Sequence, residues 1–411
     1  MNPRIPAADV TAVDDAGRVT DAETPGSFRA RVQTWLDRHA PRKGEPGDFS
    51  SAHLFSAPTP QEYDQREREA LRITKAWQRR MFESGFAGLA WPREYGGVDG
   101  HKWQDEIVAE EQSHYGVSTK MLAVALEMVP PVLFEHGSDE QRAQHLPAVL
   151  RGEESWCQLL SEPGAGSDLA GVGTRSTEVT GGWRVTGQKV WTSGAGTADF
   201  ALLLSRSEPT SGRAGLSCFV LDMHAPGVEV RPLRQMSGGY HFNEVFLSDV
   251  FVPESGLIGH RGGGWAVLRT MLASERAAIG GGTSGRSAVQ LVALAKRLGR
   301  TDDVVVRRLV AGAYARERML DLLQARVVAD AAVPAGGSVT KILYSEHARH
   351  SADDALQILG AAGMTSEHSD AAPWVERLLF APGLRIGGGT DEIQRNAIAE
   401  RCLGLPREGS A

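Results

Sequence analysis

The sequence predicts an α+β protein in which a helical segment, a compact β segment and a second helical segment follow one another. Three observations lead there. Apolar residues recur at helical spacing through 26–154. From 156 to 253 the texture changes to short β-branched or apolar runs separated by Gly, Ser, Pro and Asp. Beyond Gly264 long amphipathic stretches with short connections return, the pattern of an antiparallel bundle. The expected divisions are a tail over 1–25, a helical domain over 26–154, a β domain over 155–255 and a helical bundle over 256–411. A chain of 411 residues exceeds what one hydrophobic core usually organises, which agrees with several subdomains.

Taken in order, Phe28, Val32, Trp35 and Leu36 share one face of a first helix, and Pro41 ends it. A charged helix is expected over 61–84, then helices over 103–116 and 118–134. A further helix over 139–150 has Ser138 as a natural N-cap. The β domain is built from segments such as WRVTGQKVWTS, FALLLSR, LSCFVLDM and NEVFLSDVFVP. The bundle is expected from helices at 265–298, 302–331, 339–359 and 391–403. Before the last of these stands IGGGTDEIQ, three glycines running into a helix, where the chain turns sharply or lets something approach closely.

Composition narrows the function. The chain is 41% hydrophobic and 23% charged, as ordinary globular proteins are. A net charge of −7 argues against nucleic acid or an anionic membrane as partner. Cys157, Cys218 and Cys402 lie far apart with no CxxC, which fits a reduced, cytoplasmic protein without a disulfide framework. No window approaches about twenty uninterrupted apolar residues, and the polar start has no apolar core, so neither a membrane span nor a signal peptide is expected. Histidines such as His39, His136, His145, His241 and His347 are dispersed without HExxH spacing, so no metal is expected. Neither a P-loop nor a GxGxxG opening a helix after a strand is present.

Five segments are more specific. They are CQLLSEPGAGSD (157–168), GQKVWTSG (187–194), LSDVFVP (247–253), LQILGAAGM (356–364) and GGTDEIQRNAIAERCLG (388–404). The small residues and two glycines of EPGAGSD let backbone N–H groups converge on an anionic group. In order and spacing these segments resemble the acyl-CoA dehydrogenase family, and the resemblance covers nearly all of 26–406. It implies an N-terminal helical domain, a middle β domain and a C-terminal four-helix bundle. It also implies FAD, usually in tetramers built as a dimer of dimers.

The resemblance further implies roles for residues. Leu160 and Ser161 would face the pyrimidine edge of the flavin, and Gly166 and Ser167 its pyrophosphate. Trp191 would pack on the isoalloxazine, with Ser193 near N5. Gln357 and Gly360 match a QILGG element that reaches the adenylate of a partner subunit, although Ala361 replaces its second glycine. The family's Arg-x-x-Phe-Gly element is incomplete in AKRLGRTDD (295–303), leaving Arg297 or Arg300 for the diphosphate. Thr390 and Glu392 are further candidate cofactor contacts, and Ser167, Arg276 and Gly387 candidate substrate contacts.

The family reaction removes an α-proton from an acyl thioester while the β-hydrogen leaves as hydride. An α-C–H is a very weak acid, so the site needs a placed carboxylate and donors on the thioester carbonyl. Many members carry that carboxylate in a Tyr-Glu-Gly-Thr pattern before the last helix. Aligned on Gly389-Thr390, this chain has Gly387-Gly388, so the usual base is absent, and Glu392 stands too late to replace it. In the isovaleryl and long-chain branches the base precedes an arginine on the first long bundle helix. Here that position is Glu275, directly before Arg276 in LASERAAIGGG (272–282).

The resulting expectation is FAD-dependent α,β-dehydrogenation of an acyl-CoA or acyl-carrier thioester. Glu275 is the base and the Gly388 N–H holds the carbonyl. Electrons pass to an electron-transferring flavoprotein, and the protein works as a homo-oligomer (dimer or tetramer) or a heterotetramer. The smaller side chains at 387–388 point to a branched, cyclic or otherwise bulky acyl group. A flavin oxidase or monooxygenase on the same fold, and a non-catalytic partner subunit of a heteromer, remain open beside it.

Overall fold

Thr24 opens the first helix, α1 (Pro25–His39), through a reciprocal capping box with Ser27. Phe28, Val32 and Leu36 form its buried face, as the spacing predicts. In this computed structural model the described residues are 12–13, 19–20, 23–50, 57, 59–210, 212–281, 287–329 and 335–406; for 12, 13, 19, 20, 276–281, 328 and 329 they are described by backbone alone. Within the segment expected as a tail, β1 (Ala12–Val13) pairs antiparallel with β2 (Val19–Thr20).

The helices that follow are α2 (Pro60–Glu83), capped by Thr59, and α3 (Lys102–Gln112). With α1 they enclose a core that includes Trp77, Met81, Ile107 and Val108. The stretch 118–134, expected as one helix, is instead a 3-10 turn at Lys120–Leu122, a π turn at Val124–Met128 and α4 (Val129–His136). Pro130 and Pro131 have no N–H to return to the carbonyls four residues earlier, so the coil widens and the Val129 N–H reaches Val124 O. The helix α5 (Asp139–Leu150) starts at Ser138 in a capping box with Gln141. Gln141 Nε2 also donates to the carbonyls of Ser255 and Leu257, tying this helix to the β region.

The β region is an eight-stranded sheet. Its strands are β3 (Trp156–Leu159), β4 (Arg175–Val179), β5 (Gly182–Ser193), β6 (Phe200–Arg206), β7 (Leu216–Asp222), β8 (Val228–Leu233), β9 (Phe242–Pro253) and β10 (Leu257–Ile258). They run in the order β10-β7-β6-β4-β5-β9-β8, and β3 adds parallel to β6 with Trp156 opposite Phe200. Cys157, Leu159, Val185, Leu203, Phe219, Val245 and Val250 point into one core. No disulfide joins the three cysteines, and burial pushes the Cys157 and Cys218 thiols up.

The last helices are α6 (Gly264–Gly281), α7 (Ser287–Arg297), α8 (Val304–Ala329), α9 (Gly336–Leu359), α10 (Ala372–Ile386) and α11 (Asp391–Cys402). A single helix was expected over 265–298; residues 282–286 of it lie outside the described ones. The centre of the bundle is α9, which packs on α7, α8, α10 and α11. Leu291, Leu294, Ala313, Ala355, Ile358 and Trp374 lie in its core. The described residues sort into two compact units. One takes in those of Met1–Gly164, Ala170–Leu233 and Tyr240–Val267, so the N-terminal helices and the sheet belong together. The other takes in those of Ala165–Leu169, Arg234–Gly239 and Leu268–Ala411.

Candidate functional site

In the first unit the structure joins two of the singled-out segments. β3 runs out into Leu160 and Ser161, and β5 carries GQKVWTSG; the Val190 N–H donates to Ser161 O at 2.9 Å. The stronger link is Lys189, whose side chain is 0% exposed. Its ammonium donates to Leu160 O at 2.9 Å and to Glu162 Oε1 at 2.7 Å. Glu162 in turn accepts from the N–H groups of Gly173 and Thr174 at 2.6 and 3.0 Å. Burial pulls the Lys189 ammonium down to about 8 against the opposing charge of Glu162. Burial alone would raise the Glu162 carboxyl, but Lys189 and the donors around it hold it below its ordinary value. At Gly187 a Cβ would stand 2.3 Å from Thr174 Oγ1, so the same junction requires that glycine.

Sequence reasoning passed over Glu162 and Lys189. The available signal was a lysine at a core-facing position of a strand, because a buried cation demands a partner.

A bulge then re-aims β5. Lys189 pairs with Val245 and Thr192 with Asn243, so one residue of β5 is in excess between them. Trp191 sits there at φ 63°, a left-handed conformation that non-glycine residues rarely hold. Its ring is 61% exposed and meets Phe242 edge-on at 6.0 Å. Asn243 Nδ2 fastens the bulge through Thr192 O at 3.0 Å. Ser193 follows, half-buried, at the end of the strand. The Ser161 N–H donates to no protein acceptor among the described residues. An exposed indole on an ordered strand, hydroxyls at 161 and 193 and an uncommitted N–H suit a flat ring with polar edges, as the flavin of FAD is.

The second unit holds the other candidates. Gly166 and Ser167 are exposed, and a Cβ at Gly166 would meet nothing within 4 Å. In the glycine run, Gly387 ends α10, while Gly388 and Gly389 are left-handed at φ 67° and 83°. Gln394 Nε2 grips the loop through the carbonyls of Gly388 and Gly389, at 2.9 and 3.3 Å. Among the described residues the Gly388 N–H has no protein acceptor. Thr390 caps α11, accepting from the Ile393 N–H at 3.2 Å. Glu392 is exposed and lies 3.7 Å from Arg395.

Beneath this loop Asp391, 0% exposed, gathers three helices. Lys341 Nζ from α9 donates to it at 2.7 Å and Arg385 Nε from α10 at 2.8 Å, with Ser345 Oγ at 3.0 Å. Burial alone would lift the Asp391 carboxyl; Arg385, Lys341 and Ser345 hold it below its ordinary value. Sequence reasoning took Asp391 only as the start of a helix.

Glu275 is half-buried on α6, and the Arg276 side chain lies outside the described residues. Arg297 pairs with Asp370 at 2.7 Å on an exposed face. Arg300 donates to the Ile358 carbonyl and lies beside Asp303, so both arginines have protein partners. Gln357 and Gly360, the latter at φ 61° closing α9, are both exposed. No cluster of metal-ligating residues occurs among the described residues, and no described helix is long and apolar enough to cross a membrane.

Comparison with known proteins accounts for this arrangement. Three family models match in succession: the acyl-CoA dehydrogenase N-terminal domain at 48–153, the middle domain at 157–250 and the C-terminal domain at 262–403. The chain is 36% identical over 396 residues to the acyl-CoA dehydrogenase IpdE1 of Mycolicibacterium smegmatis, covering 93% of this chain and 98% of that one. Among solved structures, a Tcur3481-Tcur3483 steroid ACAD aligns with TM-score 0.77 and 26% identity, over 93% of this chain and 98% of its own. The ChsE4-ChsE5 complex from Mycobacterium tuberculosis aligns with TM-score 0.74 and 26% identity, over 95% and 100%. The chain belongs to the acyl-CoA dehydrogenase family, the FAD-dependent oxidoreductases that dehydrogenate acyl-CoA thioesters.

Proposed function

We propose that this chain dehydrogenates a bulky acyl-CoA between its α and β carbons, with Glu275 as base and the Gly388 N–H on the thioester carbonyl. The observation that carries this reading is the glycine loop. Gly388 is buried, left-handed and gripped by Gln394, and its N–H has no acceptor among the described residues. Such a fixed donor stabilises the negative charge that builds on a thioester oxygen as the α-proton leaves. Glycine at this position keeps the donor and supplies no carboxylate, so the proton must go elsewhere. Glu275 stands directly before Arg276 on α6, in a stretch otherwise small and apolar. Glu275 is half-buried there, and a carboxylate is the group such a proton transfer needs. When bound, FAD takes the β-hydrogen as hydride.

The residues assigned to cofactor and substrate follow the family pattern: Leu160, Ser161, Gly166, Ser167, Trp191, Ser193, Thr390 and Glu392 on FAD, with Arg297, Gln357 and Gly360 serving a neighbouring subunit. Arg276, Gly387 and Ser167 face the substrate. The domain divisions fall at 26–154, 155–255 and 256–411. The protein acts in the cytoplasm as a homotetramer that passes electrons to an electron-transferring flavoprotein.

The acyl group is branched or polycyclic. Gly387 and Gly388 take no side-chain volume, and a Cβ at Gly387 would meet only Gly383 O, at 3.5 Å. The steroid ACAD among the similar structures supports the same class.

The test is anaerobic mixing of the FAD-loaded protein with straight-chain and steroid-derived acyl-CoAs while flavin absorbance is followed. Wild type is expected to bleach with the bulky thioesters. Glu275→Gln should slow bleaching by about 10²–10⁴-fold, the usual worth of a placed general base. Bleaching at the wild-type rate in that variant would remove Glu275 from the mechanism.

A second reading is a non-catalytic subunit of a heteromer. The glycine at 388 and the paired ChsE4-ChsE5 neighbour favour it. It predicts bound FAD that no thioester bleaches.

A further inference from the structure

The buried ion pair between the two flavin-motif segments does more than close a fold. Lys189 does not simply neutralise Glu162; it reaches past it to the carbonyl of Leu160. A trans peptide directs its C=O and N–H to opposite sides, so this bond turns the Ser161 N–H away from Lys189. That N–H has no protein acceptor among the described residues, while the next carbonyl, Ser161 O, is held from the other strand by the Val190 N–H. Both ends of the Leu160–Ser161 stretch are therefore fixed, and one donor is left over. A cation on the carbonyl draws electron density from the peptide, which makes the N–H a stronger donor, and charge-assisted bonds of this kind are about twice as strong as neutral ones.

The cost of the arrangement shows that it is specific. A lysine 0% exposed in a sheet core is expensive to keep, and a well-packed apolar pair often serves stability as well or better. Glu162 is itself fixed by the N–H groups of Gly173 and Thr174, so the carboxylate that holds Lys189 cannot swing away. One residue after Lys189 and Val190 the bulge presents Trp191. The same lysine thus anchors the strand that carries the indole and the peptide that carries the spare donor.

We propose that Lys189, held by Glu162, is the positioning residue of the flavin site: through the Leu160 carbonyl it orients and polarises the Ser161 N–H toward the pyrimidine edge of FAD and so favours the reduced cofactor. This rests on FAD lying along the Leu160–Ser161 edge beside Trp191. A two-electron-reduced flavin gathers negative charge on that edge, and a polarised donor there stabilises it more than the oxidised form.

Two charge-neutral double variants test this. Lys189→Gln with Glu162→Gln keeps an amide donor for Leu160 O but no charge. Lys189→Met with Glu162→Gln loses the donor as well, and its apolar side chain suits the core if the first variant does not fold. Placement of the cofactor is measured separately, as the FAD-dependent quenching of tryptophan emission that Trp191→Phe removes. Circular dichroism and thermal unfolding of the apoproteins monitor the fold. In the Gln/Gln protein FAD affinity should stay within about threefold of wild type. Its oxidised-to-reduced flavin ratio against a reference dye should rise roughly tenfold, about 30 mV for a two-electron couple. In the Met/Gln protein the same ratio should rise and FAD affinity should also fall at least tenfold. A folded variant with wild-type affinity and wild-type potential would overturn the proposal. No loss of FAD-dependent quenching in Trp191→Phe would overturn the placement on which it rests, whatever the variants do.

Discussion

Glu67 lies on the buried face of α2, 5% exposed, and its carboxyl is pushed up to about 7 by burial and then by the neighbouring Asp64. A raised carboxyl binds its proton in the folded protein before the unfolded chain does. The stability it confers is therefore present below its ordinary value near 4.5 and lost as pH rises through about 7. At 1.36 kcal/mol per unit the loss is about 3 kcal/mol above pH 8. Glu67→Gln should raise the unfolding free energy from urea titration at pH 8 by that much and leave it unchanged at pH 4. An equal gain at both pH values would show that charge is not the cause. At this scale the sequence was legible where a motif was local. The glycines of 387–389 announced a special backbone, and two of them are left-handed. Glu162, Lys189 and Asp391 were not legible, because each matters through a partner far away in sequence and none stands in a recognisable spacing.

At the scale of elements, Asp391 begins α11 while holding α9, α10 and α11 together through Lys341, Arg385 and Ser345. Removing one partner of a buried pair strands the other charge, at a cost of about 3–5 kcal/mol. Arg385 and Ser345 stay on Asp391, so Lys341→Met should lower stability by less, about 1–3 kcal/mol, and Lys341→Met with Asp391→Asn by less again, read from urea unfolding of each protein. If the double variant is no better than the single one, the charge pair is not what joins the three helices. Helices with strong caps and uninterrupted period were readable beforehand: α1 behind its Thr24 box and α5 behind Ser138. Two stretches were not. In 118–134 the adjacent prolines widen the coil into a π turn. The helix α10 is not among the expected elements; Pro373 stands in its first turn, where proline is tolerated, and the chain stays helical through Pro382 where it packs on α9.

For the molecule as a whole, the order of helices, sheet and helices was visible because the hydrophobic period changes twice along the chain. That the N-terminal helices and the sheet form one unit was not, since that depends on ties such as Gln141 to Ser255 and Lys75 to Asp199. One buried group in each unit answers acid in the sense opposite to the other. His347 in the second unit is 2% exposed, and its imidazole is held down to about 4 by burial and then by Arg316 and His350. The unfolded chain takes that proton first, so the stability that His347 confers is lost as pH falls from about 6.5 toward 4, about 3 kcal/mol for this group. Glu67 gives the first unit a gain of similar size as pH falls from about 7 toward 4.5. Hydrogen exchange at pH 5 and pH 7.5, corrected for intrinsic rates, should show α8 and α9 less protected at pH 5 and α2 no less protected. Uniform loss of protection in both units would defeat this.

The left-handed pair Gly388-Gly389 has a consequence for how this chain could change over time. A glutamate placed at 388 would bring its Cβ into a conformation that costs L-residues about 1–2 kcal/mol. Its neighbour at 389 would still need to remain glycine, with the place of a Cβ 2.6 Å from Gln394 Nε2. A carboxylate side chain at 388 is therefore disfavoured by the backbone itself, before any question of what the site around it would accept. Any side chain introduced there would be felt first as strain in the loop and only then as a new group within it.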